Sequence, residues 1–334
     1  MGISCFNQIS VTQHVTGRPE IEYREALLRR PNKNEDLIRM SYATVNFKDL
    51  LKINGKFGSG FGAASVPGID GVGTVINSSS SNAQLDNKFI ISSSPVGIKI
   101  DGTFSEFLYV PRGIATPLPA QMSEYRSMVL GTAGLTAAHV VDLIIESGLK
   151  PEDGKVLING GSTGVGFLIT SMLSQLGYSV TATIRSEKAK VALYSIGASN
   201  VIIRAEDTIK PKFALLPERW VTVVDLLGGD YFSEIISSLR EGGVLYQIGN
   251  VAGDNLTCHA AVFYERCVEV KGIKVDSIDL NRKNQLWNIL ASDWRQTIVS
   301  VSAFVQLVHF SELKNYLRNG NSRRDFTFKT VVAF

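Results

Sequence analysis

The sequence lacks an excess of either charge, a long apolar run and a cluster of cysteines. Its 34 basic and 31 acidic residues leave a formal charge of +3 and lie scattered along the chain, so no basic stripe points to nucleic acid or to a membrane surface. No apolar run approaches the ~20 residues that span a bilayer, and residues 1–10 show no charged segment followed by an apolar one. A soluble, cytoplasmic protein is expected. Cys5, Cys258 and Cys267 lie too far apart for a disulfide framework or a four-cysteine zinc lobe, and each is expected as a small buried apolar residue. Histidine is scarce as well: among His14, His139, His259 and His309 no two are spaced like metal ligands.

The 334 residues leave room for about two domains of ~100–200 residues each. Up to about residue 112, short β-rich runs such as 36–42, 71–76 and 88–92 are broken by Gly, Pro, Ser and Asn, which predicts a small, irregular β-domain. The serine-rich stretch 78–82 reads as a surface loop. A long helix is predicted from residue 123. Strands at 155–159, 179–184, 200–203, 221–226, 243–248 and 268–275 then alternate with helices at 165–176, 186–196 and 231–239. Apolar strands alternating with helices imply a parallel sheet covered on both faces. After residue 276 helices at 281–290 and 311–318 and a strand at 329–334 remain, too little for a third domain, and they are expected to return to the N-terminal one. The expected fold is α/β, with one domain of residues 1–123 and 276–334 and a doubly wound domain of residues 124–275.

The most informative segment is Asn159-Gly160-Gly161-Ser162-Thr163-Gly164-Val165-Gly166, which carries an apolar strand through glycines into a helix. Glycines permit the tight turn and a close approach of backbone to ligand, and the unpaired N–H groups at the helix start suit a dinucleotide pyrophosphate. The next strand ends Thr183-Ile184-Arg185-Ser186. An NAD-type site places Asp or Glu there to accept from the ribose hydroxyls. Here hydroxyls and a guanidinium suit a 2′-phosphate instead, so NADPH is the expected cofactor, although Arg185 could also be a solvated strand-end charge.

With these segments in place, the chain resembles the quinone oxidoreductase-like branch of the medium-chain dehydrogenase/reductase superfamily, and within it the acryloyl-CoA reductase group. The matching stretches include Asn46-Phe47-Lys48-Asp49-Leu50, Val66-Pro67-Gly68-Ile69-Asp70-Gly71, Gly131-Thr132-Ala133-Gly134 and the glycine loop, in order along nearly the whole chain. The resemblance implies a GroES-like catalytic domain joined to a Rossmann domain, with the nicotinamide in the cleft between them. It places Asn46 and Thr132 near the nicotinamide, residues Ser162, Thr163, Gly164 and Val165 on the pyrophosphate, and Thr183 and Arg185 on the 2′-phosphate, where the strand-end residues themselves add Ser186. Asn250, Tyr264 and Ser277 match further cofactor-contacting positions. The family glycine loop usually has Gly where this chain has Thr163.

The same resemblance argues against zinc. The alcohol dehydrogenase branch draws its ligands from near Val45-Asn46 and Ile69-Asp70, where no Cys or His stands here. Without a Lewis acid, hydride transfer to an electron-poor C=C of an enone or thioester is expected, with donors stabilising the charge that develops on the carbonyl oxygen. Asn46 and Tyr42 are the candidate donors, Tyr42 being equally readable as a strand-core aromatic. Asp49 and Asp70 are expected to fix loops, and water to supply the proton. An NADPH:quinone oxidoreductase and a non-catalytic NADPH-binding protein remain alternatives. A homodimer is expected, covering a sheet edge at 243–248 or 268–275.

Overall fold

The computed structural model describes residues 5–12, 19–55, 65–79, 85–93, 95–204, 214–319 and 326–334; His14 and most of the expected 78–82 loop lie outside them. The chain begins with β1 (Cys5–Thr12), β2 (Glu20–Leu27), β3 (Glu35–Val45), α1 (Phe47–Ile53), β4 (Asp70–Ser78), β5 (Lys88–Ile91), β6 (Phe107–Pro111), β7 (Thr116–Pro117) and α2 (Glu124–Glu146). Next come β8 (Lys155–Asn159), α3 (Gly164–Gln175), β9 (Ser179–Ile184), α4 (Lys190–Ser195), β10 (Asn200–Ile203), β11 (Trp220–Asp225), α5 (Phe232–Ser237), β12 (Leu239–Gln247), α6 (Ala261–Tyr264) and β13 (Glu269–Gly272). The chain closes with α7 (Leu280–Ser292), α8 (Arg295–Ser302), β14 (Val305–His309), α9 (Phe310–Asn319) and β15 (Lys329–Ala333).

Two compact units result. The first comprises Met1–Leu135, Asp276–Asp293 and Val305–Phe334, the second Thr136–Val275 and Trp294–Phe304. The chain therefore passes from one to the other inside α2, after Leu135, rather than at residue 123. Residues 294–304 stay with the second unit, because α8 packs on α3: Gln175 donates to Thr297 Oγ1 (2.7 Å), and the Phe167 and Phe304 rings meet edge-on at 5.5 Å. The helix α8 and the strand β14 are elements that apolar periodicity did not predict.

In the first unit, β3 is the organising strand. It pairs antiparallel with β4, β6 and β15, and β14 adds to β15 in parallel. Ile9, Val11, Ala43, Phe104, Leu313 and Val332 share one buried cluster, so the C-terminal return fills the core beneath β1 and β3. Helix α2 is 23 residues long and apolar enough to cross a bilayer by length and composition, a feature the sequence reading did not give. Most of that apolar surface is buried inside the protein, and the helix breaks at Gly131 (φ 53°, ψ −153°).

The second unit holds a six-stranded, wholly parallel sheet in the order β10-β9-β8-β11-β12-β13. The order reverses between β8 and β11, and at such a switch point the loops leaving the strands diverge and open a crevice. Strands β8, β9 and β10 occupy the residues their apolar runs predicted. The segment 243–248 is interior to the sheet; its edges are β10 and β13, and the four residues of β13 are all exposed. Cys5 and Cys267 are exposed and Cys258 is half-buried, so the expectation of three buried cysteines fails. Cys5 opens β1, and Cys267 takes a left-handed backbone conformation (φ 50°) ahead of β13, positions at element ends that no core covers.

Candidate functional site

The second unit builds an anion cradle at the switch point. Gly160 turns the chain out of β8 at φ 101°. A Cβ on Gly161 would stand 2.6 Å from that of Ala182, and one on Gly166 would overlap the Gly160 carbonyl, so loop, β9 and α3 pack at backbone contact. Thr163, at the place of the usual glycine, has φ −74° and ψ 158°, a backbone any residue adopts. Its hydroxyl caps α3, accepting from Gly166 N–H (3.1 Å) and donating to the Gly160 carbonyl (2.8 Å). The cap satisfies the third helical N–H and leaves those of Gly164 and Val165, which have no intrahelical acceptor, at the helix start beside Ser162.

The loop is held from beneath. Gly160 N–H donates to Thr183 Oγ1 (3.1 Å), and Thr183 donates to Asn159 Oδ1 (2.8 Å). Asn159 Nδ2 donates to Asp225 Oδ1 (2.7 Å), which also receives the N–H groups of Leu227 (2.9 Å) and Gly228 (3.1 Å). Asp225 and Asn159 are fully buried and Thr183 is buried. The Thr183 hydroxyl hydrogen, expected at a 2′-phosphate, is engaged by Asn159, and the side chain fixes the glycine loop.

The cations at the strand ends are Arg185, exposed, and Arg204, half-buried after β10. Arg204 stacks on the Tyr231 ring, its guanidinium carbon 3.5 Å from the ring centroid, and its side chain forms no ion pair or hydrogen bond among the described residues. Burial pulls its pKa down to about 10 against the pull of Asp225, Tyr231 and Glu234, and Arg185 adds to the lowering. A half-buried cation that forms no ion pair among the described residues, beside a second cation, suits an anion of high charge density. Sequence reading missed Arg204, because neither its strand neighbour nor Tyr231 is adjacent in sequence. Ser186, exposed, turns its hydroxyl to Lys188 N–H (3.4 Å).

At the other side of the switch point, Gln247, Ile248, Gly249, Asn250, Leu256 and Lys274 line an open cavity of about 470 Å³. Asn250 is exposed and donates to Asp254. Tyr264 is 69% exposed on α6.

The first unit gathers a second set. Asn46 leaves β3 and starts α1; its N–H goes to Asp49 Oδ2 (2.8 Å), while Asp49 Oδ1 takes the N–H groups of Gly68 (3.0 Å) and Ile69 (3.1 Å). The Asn46 side chain turns away from the helix. Its Nδ2 donates to Asp70 Oδ2 (2.9 Å) and Thr44 O (3.3 Å), and its Oδ1 accepts from Lys329 Nζ (2.9 Å). Thr132 gives Asp70 both its N–H (2.7 Å to Oδ2) and its hydroxyl. This requires Gly131, on which a Cβ would fall on the Asp70 carboxylate. Asp49, Asp70 and Lys329 are buried. Burial first, and the Asp70 charge with it, push the Asp49 carboxyl up to about 7 against the pull of its backbone donors and Lys329. Burial likewise lowers the Lys329 ammonium, and both carboxylates oppose that shift.

This geometry corrects one expectation: both amide hydrogens of Asn46 are engaged by the protein, so what it offers a ligand is the remaining lone pair of Oδ1. Asn46 can receive an N–H, as from a carboxamide; it cannot donate to an oxyanion without breaking a buried bond. Asp49 and Asp70 hold loops, as expected of them. Tyr42 lies four residues from Asn46, about 13 Å along an extended strand, and its ring meets that of Tyr125 edge-on at 5.9 Å. Ser277 is exposed. Lys329 was not anticipated; its partner Asn46 lies 283 residues away in sequence.

No protein-family model matches the chain. Relatives do: YhfP of Bacillus subtilis, named a quinone oxidoreductase, is 33% identical over 293 residues, 86% of this chain and 88% of that protein. The acrylyl-CoA reductase AcuI of Ruegeria pomeroyi is 31% identical over 291 residues, again 86% and 88%. Among solved structures, B. subtilis YhfP with NAD bound superposes with TM-score 0.88 at 27% identity, covering 99% of this chain and 100% of that one. The YhdH oxidoreductase of Salmonella enterica in complex with NADP has the same fold, with TM-score 0.87 at 23% identity over 98% and 99% of the two chains. Two relatives above 30% identity, each aligned over most of both chains, agree with the 3-2-1-4-5-6 sheet and its glycine loop: the chain belongs to the quinone oxidoreductase-like branch of the medium-chain dehydrogenase/reductase superfamily, close to the acrylyl-CoA reductases.

Proposed function

We propose that this oxidoreductase uses NADPH to reduce an activated carbon–carbon double bond, that of an enone or an acryloyl-CoA-type thioester, without zinc. The observation that carries the cofactor reading is the pair of cations Arg185 and Arg204 at the ends of β9 and β10, Arg204 stacked on Tyr231, with no carboxylate at the end of β9. NADP or NADPH accompanies the YhdH structures of S. enterica and Escherichia coli, and NAD that of YhfP; the local charge favours the phosphorylated cofactor here. Gly164 and Val165 N–H and Ser162 hold the pyrophosphate, and Arg185, Arg204 and Ser186 the 2′-phosphate. Asn46, Thr132 and Ser277 in the first unit, and Asn250 and Tyr264 in the second, keep the cofactor contacts that family resemblance implies. When bound, the reduced nicotinamide supplies hydride. With the Asn46 amide hydrogens engaged, Tyr42 is the side-chain donor left for the substrate carbonyl, and water supplies the proton.

Zinc independence is supported by the residues at the ligand positions, Val45, Asn46, Ile69 and Asp70, and among the described residues no group of three His, Cys, Asp or Glu is placed to hold a metal. Identity to AcuI favours the thioester; the name of YhfP favours quinones as the second reading. A homodimer joined through the exposed edge β13 follows from its free pairing groups. NADPH oxidation with acryloyl-CoA, simple enones and quinones, with and without chelator, tests the reading. Preference for acryloyl-CoA or enones, unchanged by the chelator, is expected. Activity restricted to quinones would establish the second reading, and loss on chelation would refute zinc independence.

A further inference from the structure

Lys329 is the first residue of β15, 4% exposed, and its ammonium donates to Asn46 Oδ1 at 2.9 Å. The charged groups that face it are Asp70 at the start of β4 and Asp49 in α1. Asp49 in turn faces Lys52, whose ammonium donates to the Gly97 carbonyl (2.9 Å), and Lys52 faces Asp101. The Asn46 amide thus lies between an ammonium on one side and the Asp70 carboxylate on the other. Turned over by 180°, it would set its oxygen against Asp70 and its NH₂ against Lys329, replacing two charge-assisted hydrogen bonds with two repulsive contacts. A buried lysine is costly, and a buried carboxylate whose cation is removed is costlier still.

We infer that Lys329 is a positioning residue for hydride transfer: it locks the Asn46 amide with Oδ1 presented as an acceptor and balances the two buried carboxylates that hold Asn46 and Thr132. The inference rests on the proposed function, in which Asn46 meets the nicotinamide end of the cofactor. Two duties follow, one of hydrogen bonding and one of charge, and two substitutions separate them. Lys329→Met keeps most of the apolar stem and removes both; Lys329→Gln, one atom shorter than lysine, keeps a donor and removes the charge.

The protonation sequence fixes the sign of the pH effect. Asp49 accepts three backbone N–H groups with its two oxygens, and a proton on it has to displace one of them, so catalysis fails as the cluster takes up a proton on the acid side. Loss of a nearby cation makes a carboxylate easier to protonate, by about one pH unit or more at 4–6 Å. The acid limb of kcat therefore moves to higher pH when Lys329 becomes neutral.

The test uses the full chain, with NADPH oxidation by acryloyl-CoA followed from pH 5.5 to 9 and NADPH binding followed by nicotinamide fluorescence. Lys329→Met is expected to lose about ten- to hundredfold in kcat, with KM for NADPH changed less than about threefold. Lys329→Gln is expected within about threefold of wild type at pH 8.5, and in both variants the acid limb moves up by about one unit or more. A lysine that served folding alone would lower the melting temperature and leave the limb in place. An unmoved limb in both variants, or a Gln variant as impaired as Met at pH 8.5, overturns the inference. If Lys329→Met does not fold, Lys329→Gln still reads the limb. Wild-type protein that neither binds NADPH nor oxidises it with any acceptor overturns the functional reading itself, before a variant is compared.

Discussion

Replacing Arg204 by leucine should separate the two cofactors. The guanidinium is half-buried over Tyr231, its pKa is lowered to about 10 by burial, and Arg185 repels it. Asp225 and Glu234 offset part of the cost of burying this cation without pairing with it among the described residues, and the bound 2′-phosphate, with up to two negative charges, offsets more. A hydrogen bond to a charged group contributes about 1.5–3 kcal/mol, which corresponds to roughly ten- to hundredfold in kcat/KM for NADPH. NADH, which lacks the phosphate, should be used by Arg204→Leu within about twofold of wild type. Arg185, being exposed, should contribute less in the same measurement, because solvent screens it. The burial penalty, the largest influence on this guanidinium, adds a second, opposite expectation: without cofactor, Arg204→Leu should be as stable to urea as wild type or more so, while NADPH should protect it less. The assay is the ratio of kcat/KM for NADPH and NADH in wild type and both variants, beside urea unfolding with and without NADPH. Equal losses for both cofactors, or an unliganded variant clearly less stable than wild type, would refute the assignment of Arg204 as a cation kept in waiting for phosphate.

Three other substitutions probe the supports of the site. Gly131→Ala places a Cβ against the Asp70 carboxylate at a left-handed φ, so it should cost about 1–3 kcal/mol in stability and at least about a hundredfold in kcat; near-normal kcat would show that the Asp70–Thr132 geometry is dispensable. Thr163→Ala removes the α3 cap and should destabilise by about 1 kcal/mol, with Thr163→Gly a few tenths closer to wild type, while NADPH affinity stays within about threefold; loss of affinity with unchanged stability would mean that the hydroxyl serves the ligand instead of the helix. Asp49, held at about 7, binds a proton in the folded state that the unfolded chain releases near ~3.9. Its contribution is thus complete below about pH 4 and lost as pH rises through 7, at most about 4 kcal/mol. Urea unfolding of Asp49→Asn between pH 5 and 8 should show a flatter pH dependence than wild type, and an identical slope would contradict the assignment.

The second unit was the more legible half of the sequence. Strands buried on both faces declare themselves as apolar runs, so β8, β9 and β10 lie where they were expected, and the glycine loop follows from its residues alone. The hairpin β1–β2 and the strand β14 carry mixed burial patterns, which neither alternation nor a continuous run describes. Site residues followed the same rule. Those inside one local motif, Ser162 to Val165 and Arg185, are proposed from the loop and the strand end alone. Arg204 acquires its meaning from Tyr231 and from the neighbouring strand β9, and Lys329 from a residue at the opposite end of the chain. Thr183 and Asn46 carry the right chemistry for ligand contact, yet their donors are taken by Asn159 and by Asp70, a commitment that residue type cannot reveal.

The central claim is hydride transfer from NADPH to the β-carbon of an activated double bond. It is tested most directly by turning over acryloyl-CoA with NADPH carrying deuterium at both C4 positions and weighing the product by mass spectrometry. The account predicts propionyl-CoA with one deuterium on its β-carbon, formed at the same rate in the presence of chelator and much faster than with deuterated NADH. Unlabelled product, or NADPH consumption only when a quinone replaces the thioester, would contradict it.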